Sequence, residues 1–283
     1  MSRKPVPCWG IYRELAHSPG RETDDAEILR ATASELERLG VADELKAPDE
    51  LPAVDDFGAV PPHLFVMCER VAVVEKLAAW EARGTHVVNR PSGIRNTDRE
   101  RTLALFRSGG VPYPRTQPVE TAAPTPFQGP CWVKRGDVHA TAEGDVAYCG
   151  DAATLEKNLM RLAARGIPRA IVQEHVPGDL VKFYGVAALE EGERPSWFQW
   201  FYHRDQRLSN HPFDPDALAP ATSRAAAALG LEVYGGDAIV SESGDVTIID
   251  LNAWPSFALF RPVAAARIAA LLAARFSTHT VTR

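Results

Sequence analysis

Cysteine is scarce in this chain, with 4 among 283 residues. The four are Cys8, Cys68, Cys131 and Cys149. None has another at the short spacing that cysteine metal ligands use, which argues against a structural zinc site. Each lies beside apolar or aromatic residues, so we expect buried free thiols in a reducing cytoplasm.

Long hydrophobic runs are also missing. The longest apolar stretch, 262–276, contains Arg267 and Arg275 and is too short to span a bilayer. Residues 1–7 carry two basic side chains with no apolar run behind them, so no secretory signal is expected. Lys and Arg number 31 against 37 Asp and Glu, and the net charge of −6 favours neither nucleic acid nor an anionic membrane as partner.

The order of predicted elements indicates an α/β protein. Helical spacing over Ala26–Leu39 and Ala72–Arg83 alternates with short apolar strands at His63–Cys68 and Thr85–Asn89. This alternation predicts an N-terminal βαβ lobe with a parallel sheet, ending at a turn-rich break near 89–93. The three predicted lobes are 1–92, 93–173 and 174–283. The other predicted helices are Asp98–Ser108, Ala152–Ala164, Thr222–Leu229 and 261–274, and the other predicted strands are Cys131–Lys134, Ala170–Gln173, Val181–Ala188, Trp197–Tyr202, Asp237–Ser241 and Val246–Leu251.

The strongest chemical signal lies in the last two predicted strands, which a Ser-Gly turn joins. If they pair antiparallel, Asp237 and Asp250 lie on one face, and strand alternation places Asn252 on that face too. Three convergent oxygen-bearing side chains suit Mg²⁺, which also binds substrate phosphates. The alternative is that Asp250 and Asn252 only cap a strand end in an Asx-turn.

The segments 234–240 and 246–255 resemble the metal-binding end of the ATP-grasp superfamily, which ends in acidic-x-Asn-x-x-Pro. The run Gly-Gly-Asp followed by Ile-Asp-Leu-Asn-Ala-Trp-Pro is similar to inositol trisphosphate kinases and ribosomal-protein glutamate ligases. The resemblance implies an ATP-grasp fold in which two lobes clamp ATP. It also implies that Asp237, Asp250 and Asn252 hold two Mg²⁺ ions, with Mn²⁺ as an acceptable substitute.

Other segments follow in the order of the same family. Lys134 matches the strand lysine that contacts the α- and β-phosphates, and 135–141 matches the flexible loop over them, with His139 near the acceptor or γ-phosphate. A surface lysine and a solvent-exposed histidine are the alternatives. The segment 171–178 resembles the hinge that binds adenine through its backbone. The resemblance implies nucleotide binding by Arg99, Lys134, His139, Gln173, Glu174, His175, Val176, Asp179 (to ribose) and Lys182.

The segment 202–210 resembles the basic segment of the glutamate ligases. It implies that Arg204, Arg207 and Asn210 are catalytic and neutralise the transferring phosphoryl group, with a plain charged hairpin as the alternative.

The sequence departs from the family at two positions. Arg99 stands where a lysine is usual, and Gly235 stands where many ligases carry arginine. Gly235 and Gly236 are interpreted as leaving room for the triphosphate.

Three functions stay open. The segment 202–210 favours an ATP-dependent carboxylate–amine ligase that forms an acyl-phosphate. Gly235 and Lys182 favour a small-molecule kinase of the same fold, and Arg99 favours a non-catalytic nucleotide-binding module. The partners are ATP and a small-molecule acceptor that the sequence does not name. The candidates for the acceptor lining are Trp9, Tyr12, Arg13, His17 and the loop 18–20. A monomer and a homodimer are both compatible with the sequence.

Overall fold

The computed structural model describes residues 6–123, 127–136, 142–190 and 193–278. Within them the chain forms three four-stranded sheets, with orders β2-β1-β3-β4, β5-β8-β6-β7 and β10-β9-β11-β12. The mixed α/β class predicted from the sequence is confirmed.

The first sheet is parallel throughout, so the predicted βαβ unit is confirmed. Its strands are β1 Val6–Ile11, β2 Val41–Lys46, β3 His63–Val66 and β4 His86–Val88, and its helices are α1 Glu22–Arg38 and α2 Val71–Glu81. The sequence pattern did not indicate β1 or β2. In β2 only Val41 is buried and polar residues follow, which hides the strand from a search for apolar runs.

The central sheet is antiparallel and follows two short helices. The elements are α3 Pro91–Asn96, α4 Arg99–Ser108, β5 Thr116–Glu120, β6 Cys131–Arg135, β7 Val146–Cys149, α5 Ala152–Ala164 and β8 Arg169–Glu174. Helix α3 replaces the predicted turn-rich break, since Pro91 suits the first position of a helix. Gly93 packs so tightly that an added Cβ would lie 2.4 Å from the Gly230 carbonyl oxygen.

The third sheet is antiparallel and carries the predicted acidic hairpin. The elements are β9 Asp179–Val186, β10 Trp197–Tyr202, α6 Pro215–Leu229, β11 Val233–Val240, β12 Val246–Ala253 and α7 Arg261–Thr278. Helix α6 begins well before the predicted Thr222, because Asp214 caps it by accepting from the Asp216 amide at 2.9 Å. None of the helices in the described residues is long and apolar enough to cross a membrane.

The first and third sheets share their hydrophobic cores, whereas the central sheet has its own. One shared cluster joins Leu64 and Trp80 to Phe183 and Leu251. A second joins α1 to α7, and a third lies between the central sheet and α5. The central sheet is therefore a separately packed lobe, and the site described next lies where it meets the third sheet.

Candidate active site

The β11–β12 hairpin brings the predicted acidic residues together. Asp237 lies directly opposite Asp250, and Gly235 lies opposite Asn252. Directly opposed residues of an antiparallel pair share a face, as do residues two apart on one strand. The predicted juxtaposition of Asp237, Asp250 and Asn252 is therefore present. The Asn252 side chain donates from Nδ2 to Asp250 Oδ2 at 3.3 Å.

A bulge interrupts this hairpin beside the acidic pair. The register passes from Asp237 opposite Asp250 to Ala238 opposite Ile248, which leaves Ile249 as the extra residue. A β-bulge turns backbone groups out of the ladder. The Ile249 carbonyl accepts a hydrogen bond from Lys134 Nζ at 3.2 Å, so the bulge links the C-terminal lobe to the central lobe.

The two glycines before Asp237 have a packing role that the sequence did not indicate. A Cβ on Gly236 would lie 2.2 Å from the Asp250 carbonyl oxygen, and one on Gly235 would lie 2.6 Å from the Pro255 ring. Their absent side chains allow the strands to approach closely, which differs from the predicted space for a triphosphate.

Lys182 and Lys134 approach the carboxylates from two different sheets. Lys182 lies opposite Asp237 on β9, and its Nζ is 2.7 Å from Asp237 Oδ1. Lys134 is 8% exposed, and burial lowers its pKa, with Asp250 and Asp237 acting in the opposite direction. Two ammonium groups thus converge on one carboxylate pair.

The carboxylate pair fits a divalent cation. Burial raises the pKa of Asp237, Lys182 opposes that shift, and the nearby Asp250 charge reinforces it. A cation would relieve this repulsion. The described ranges hold no group of three His, Cys, Asp or Glu side chains that could bind a metal ion. Two carboxylates and the Asn252 side-chain oxygen would leave ligand positions for phosphate and water.

Arg99 and Tyr113 form another wall of this site. Arg99 is 8% exposed, opens α4 and donates from Nη1 to the Arg135 carbonyl at 2.7 Å. Burial raises the pKa of Tyr113, reinforced by the Asp250 charge and opposed by a hydrogen bond with Gln173. Sequence reasoning missed Tyr113, because the flanking prolines indicated only an extended spacer.

The predicted hinge lies between β8 and β9. The His175 amide donates to the Pro130 carbonyl at 3.0 Å, and His175 Nδ1 accepts from Trp132 Nε1 at 3.2 Å. The Glu174 amide donates to the Arg115 carbonyl at 2.8 Å, and the Glu174 carboxylate is 3.9 Å from the Arg115 side chain. The predicted backbone contact of Glu174 with adenine stays a prediction. Trp132 is two residues from Lys134 on β6, so the two side chains lie on the same face of the central sheet. The sequence did not single out this aromatic residue.

Asp179, the residue predicted to contact ribose, binds backbone amides of its own chain. It is 1% exposed, and its two oxygens accept from the Ser209 amide at 2.7 Å and the His211 amide at 2.9 Å. These amide hydrogen bonds lower its pKa despite its burial. The carboxylate therefore anchors the segment after β10, and its predicted contact with ribose stays a prediction.

The predicted catalytic residues of that segment lie at the surface. The Arg204 side chain is 92% exposed and lies 3.5 Å from its neighbour Asp205. Arg207 and Asn210 are also exposed, and Asn210 has a positive φ of 57°. Their catalytic role stays a prediction. His139 lies outside the described residues.

No protein-family profile and no curated protein matches this sequence. Solved structures do match in three dimensions. A RimK domain ATP-grasp protein from Sphaerobacter thermophilus is 16% identical, with a TM-score of 0.69 over 94% of this chain and 99% of that one. D-alanyl-alanine synthetase A from Vibrio cholerae is 10% identical, with a TM-score of 0.73 over 99% and 100%. The ATP-grasp ligase PsnB, complexed with minimal precursor, Mg and ADP, is 18% identical, with a TM-score of 0.64 over 95% and 98%.

Proposed function

This chain has the ATP-grasp fold, and we propose that it is an enzyme that uses Mg-ATP as a carboxylate–amine ligase on a small molecule or peptide. One observation carries the proposal. Lys134 of the central lobe donates to the carbonyl of Ile249, the bulge residue beside Asp250 on the third sheet. The ammonium group of Lys134 and the Asp237–Asp250 carboxylates therefore lie close together.

The cationic and anionic residues of the site would have different roles. Lys134 would contact the phosphates, and its burial makes an anionic partner favourable. Asp237, Asp250 and Asn252 would hold Mg²⁺, which would offset the charge of the β- and γ-phosphates. Lys182 holds the Asp237 carboxylate in place. The backbone of Glu174 and Val176 would bind adenine at the hinge.

The proposed reaction has two steps. A carboxylate oxygen of the acceptor attacks the γ-phosphorus, the bond to the β-phosphate oxygen breaks, and ADP leaves. An amine nitrogen then attacks the acyl carbon, loses its proton and displaces phosphate. Positioning and charge neutralisation by the fixed side chains would supply most of the rate enhancement. The PsnB and D-alanyl-alanine synthetase structures support ligase chemistry for this fold.

A small-molecule kinase is the second candidate. Gly235, where many ligases carry arginine, and Lys182 beside the acidic pair favour it.

An ADP-release screen with product mass readout separates the two candidates. Amino acids and dipeptides serve as carboxylate acceptors, and sugar alcohols serve as hydroxyl acceptors. The ligase proposal predicts ADP release with carboxylates and an amide or acyl-phosphate product mass. Phosphorylated alcohol as the sole product would reject the ligase and favour the kinase. ADP release with none of them would count for a non-catalytic module.

A further inference from the structure

A cleft of about 540 Å³ lies between the N-terminal lobe and the start of the central lobe. The first turn of α2 forms one wall, and residues from the end of α3 and the start of α4 form the other. Gly136, the residue after β6, also lines it. The cleft is therefore built from parts of the chain that are far apart in sequence.

One part of this cleft adjoins the proposed phosphoryl-transfer site. Arg99 lines the cleft and donates to the carbonyl of Arg135, the neighbour of Gly136. Its charge also acts on Lys134, whose pKa it helps to lower. A molecule bound in the cleft would lie within reach of the phosphates that Lys134 is proposed to contact.

The cleft has an excess of positive charge. Its lining includes four arginines (Arg70, Arg95, Arg99 and Arg101) and three carboxylates (Glu69, Glu75 and Asp98). Several of these charged groups already have partners in the protein. Glu69 is 3.0 Å from buried Arg13, Glu75 is 3.0 Å from Arg95, and Asp98 accepts from the α4 amides of Glu100 and Arg101. Arg70 is paired with Asp49, 2.5 Å away. The other lining arginines are Arg99 and Arg101, and they would attract an anion.

The cleft also has an apolar strip. Val71, Val74 and Ile94 line it, and Val71 is 62% exposed, whereas Val74 and Ile94 are only 1% and 4% exposed. Val71 therefore supplies most of the apolar surface that a ligand could cover. A ligand with a short hydrocarbon body would cover this surface, and burying it would contribute roughly 25 cal/mol per Å². A compact polar anion would leave it in water.

We propose that this cleft is the acceptor site and that it takes a carboxylate with a short aliphatic body. The carboxylate lies towards Arg99 and Arg101, and the aliphatic part lies on the exposed Val71 side chain. This inference rests on the proposed function and deepens it.

Fluorine NMR tests the inference without turnover. The full chain, saturated with Mg-ADP, is titrated with trifluorobutyrate and with trifluorobutanol, which has a similar shape and no charge. We expect the carboxylate to bind and the alcohol to bind at least about 10-fold more weakly, the loss of one charge-assisted contact. Arg101→Glu is expected to abolish carboxylate binding and Arg101→Gln to weaken it. Arg107→Glu, an exposed change further along α4, serves as the matched control and should bind normally.

Any of three results, in samples that bind Mg-ADP, would overturn the inference alone. The first is equal binding of the carboxylate by Arg101→Glu and the unchanged chain. The second is equal binding of alcohol and carboxylate, and the third is the absence of carboxylate binding to the unchanged chain. Failure of the unchanged chain and of Arg107→Glu to bind Mg-ADP would instead overturn the proposed function, and the inference with it.

Discussion

Asn89 should hold the N-terminal lobe onto the strand that carries Asp237. It follows β4 and is fully buried. Its Oδ1 accepts from the Glu232 amide at 2.7 Å and the Val233 amide at 2.9 Å, and its Nδ2 donates to the Val233 carbonyl at 2.7 Å. The change Asn89→Ala removes all three hydrogen bonds at the start of β11.

The expected cost depends on which backbone groups lose their only partner. The Val233 carbonyl keeps the hydrogen bond that Trp254 N–H donates at 2.9 Å. The amides of Glu232 and Val233 are left without Asn89, and each unsatisfied donor costs about 1–3 kcal/mol. Because Glu232 is only half-buried, water reaches it. We therefore expect Asn89→Ala to lower the free energy of unfolding by about 2–4 kcal/mol, or about 5–10 °C in Tm.

Urea denaturation followed by tryptophan fluorescence and circular dichroism measures this loss. The control is Asn96→Ala, which removes one hydrogen bond, from Asn96 Nδ2 to the Leu229 carbonyl at 3.0 Å, and should cost about 1 kcal/mol. Equal losses for the two variants, at an unchanged denaturant slope, would refute the reasoning that Asn89 fastens the lobes together.

Two further predictions concern pH and backbone packing. Burial raises the pKa of Asp43 to about 6, so its charged form destabilises the fold. Relative to the unchanged chain, the stability gained by Asp43→Asn should grow as pH rises from about 4 to about 6 and stay constant above that, in melting curves measured across pH. A stability difference that does not change with pH would contradict this prediction. Gly236→Ala should lower Tm or prevent folding, since its Cβ would lie 2.2 Å from the Asp250 carbonyl oxygen, whereas Gly58→Ala has open space; equal melting points would contradict this.

The sequence predicted the elements with regular patterns. Helix α5 and strand β10 have their predicted bounds, because α5 has an apolar stripe bounded by Asp151 and Gly166, and β10 is aromatic at every position except Gln199. Strand β7 is short, lies at a sheet edge and buries only Cys149, so its composition carries little signal. Helix α3 depends on contacts such as Gly93 against Gly230, which no local pattern reveals.

The candidate site also has features that the local sequence predicts and features that depend on tertiary contacts. Strand alternation was enough to place Asp237, Asp250 and Asn252 on one face. The bulge at Ile249 and the approach of Lys134 depend on how two sheets meet, which sequence spacing does not encode. The burial of Asp179 depends on the path of the segment after β10, and its acidic side chain gave no sign of that role.

The central claim is that Lys134 and the Asp237–Asp250 pair bind one Mg-nucleotide between the lobes. Isothermal titration calorimetry of ATP, with and without Mg²⁺, tests it most directly. We predict binding that weakens when EDTA removes Mg²⁺, and losses of about 10- to 100-fold in Lys134→Met and Asp250→Asn. The exposed changes Lys157→Met and Asp216→Asn should bind ATP normally. Unaltered Mg-ATP affinity in folded Lys134→Met and Asp250→Asn would contradict the claim.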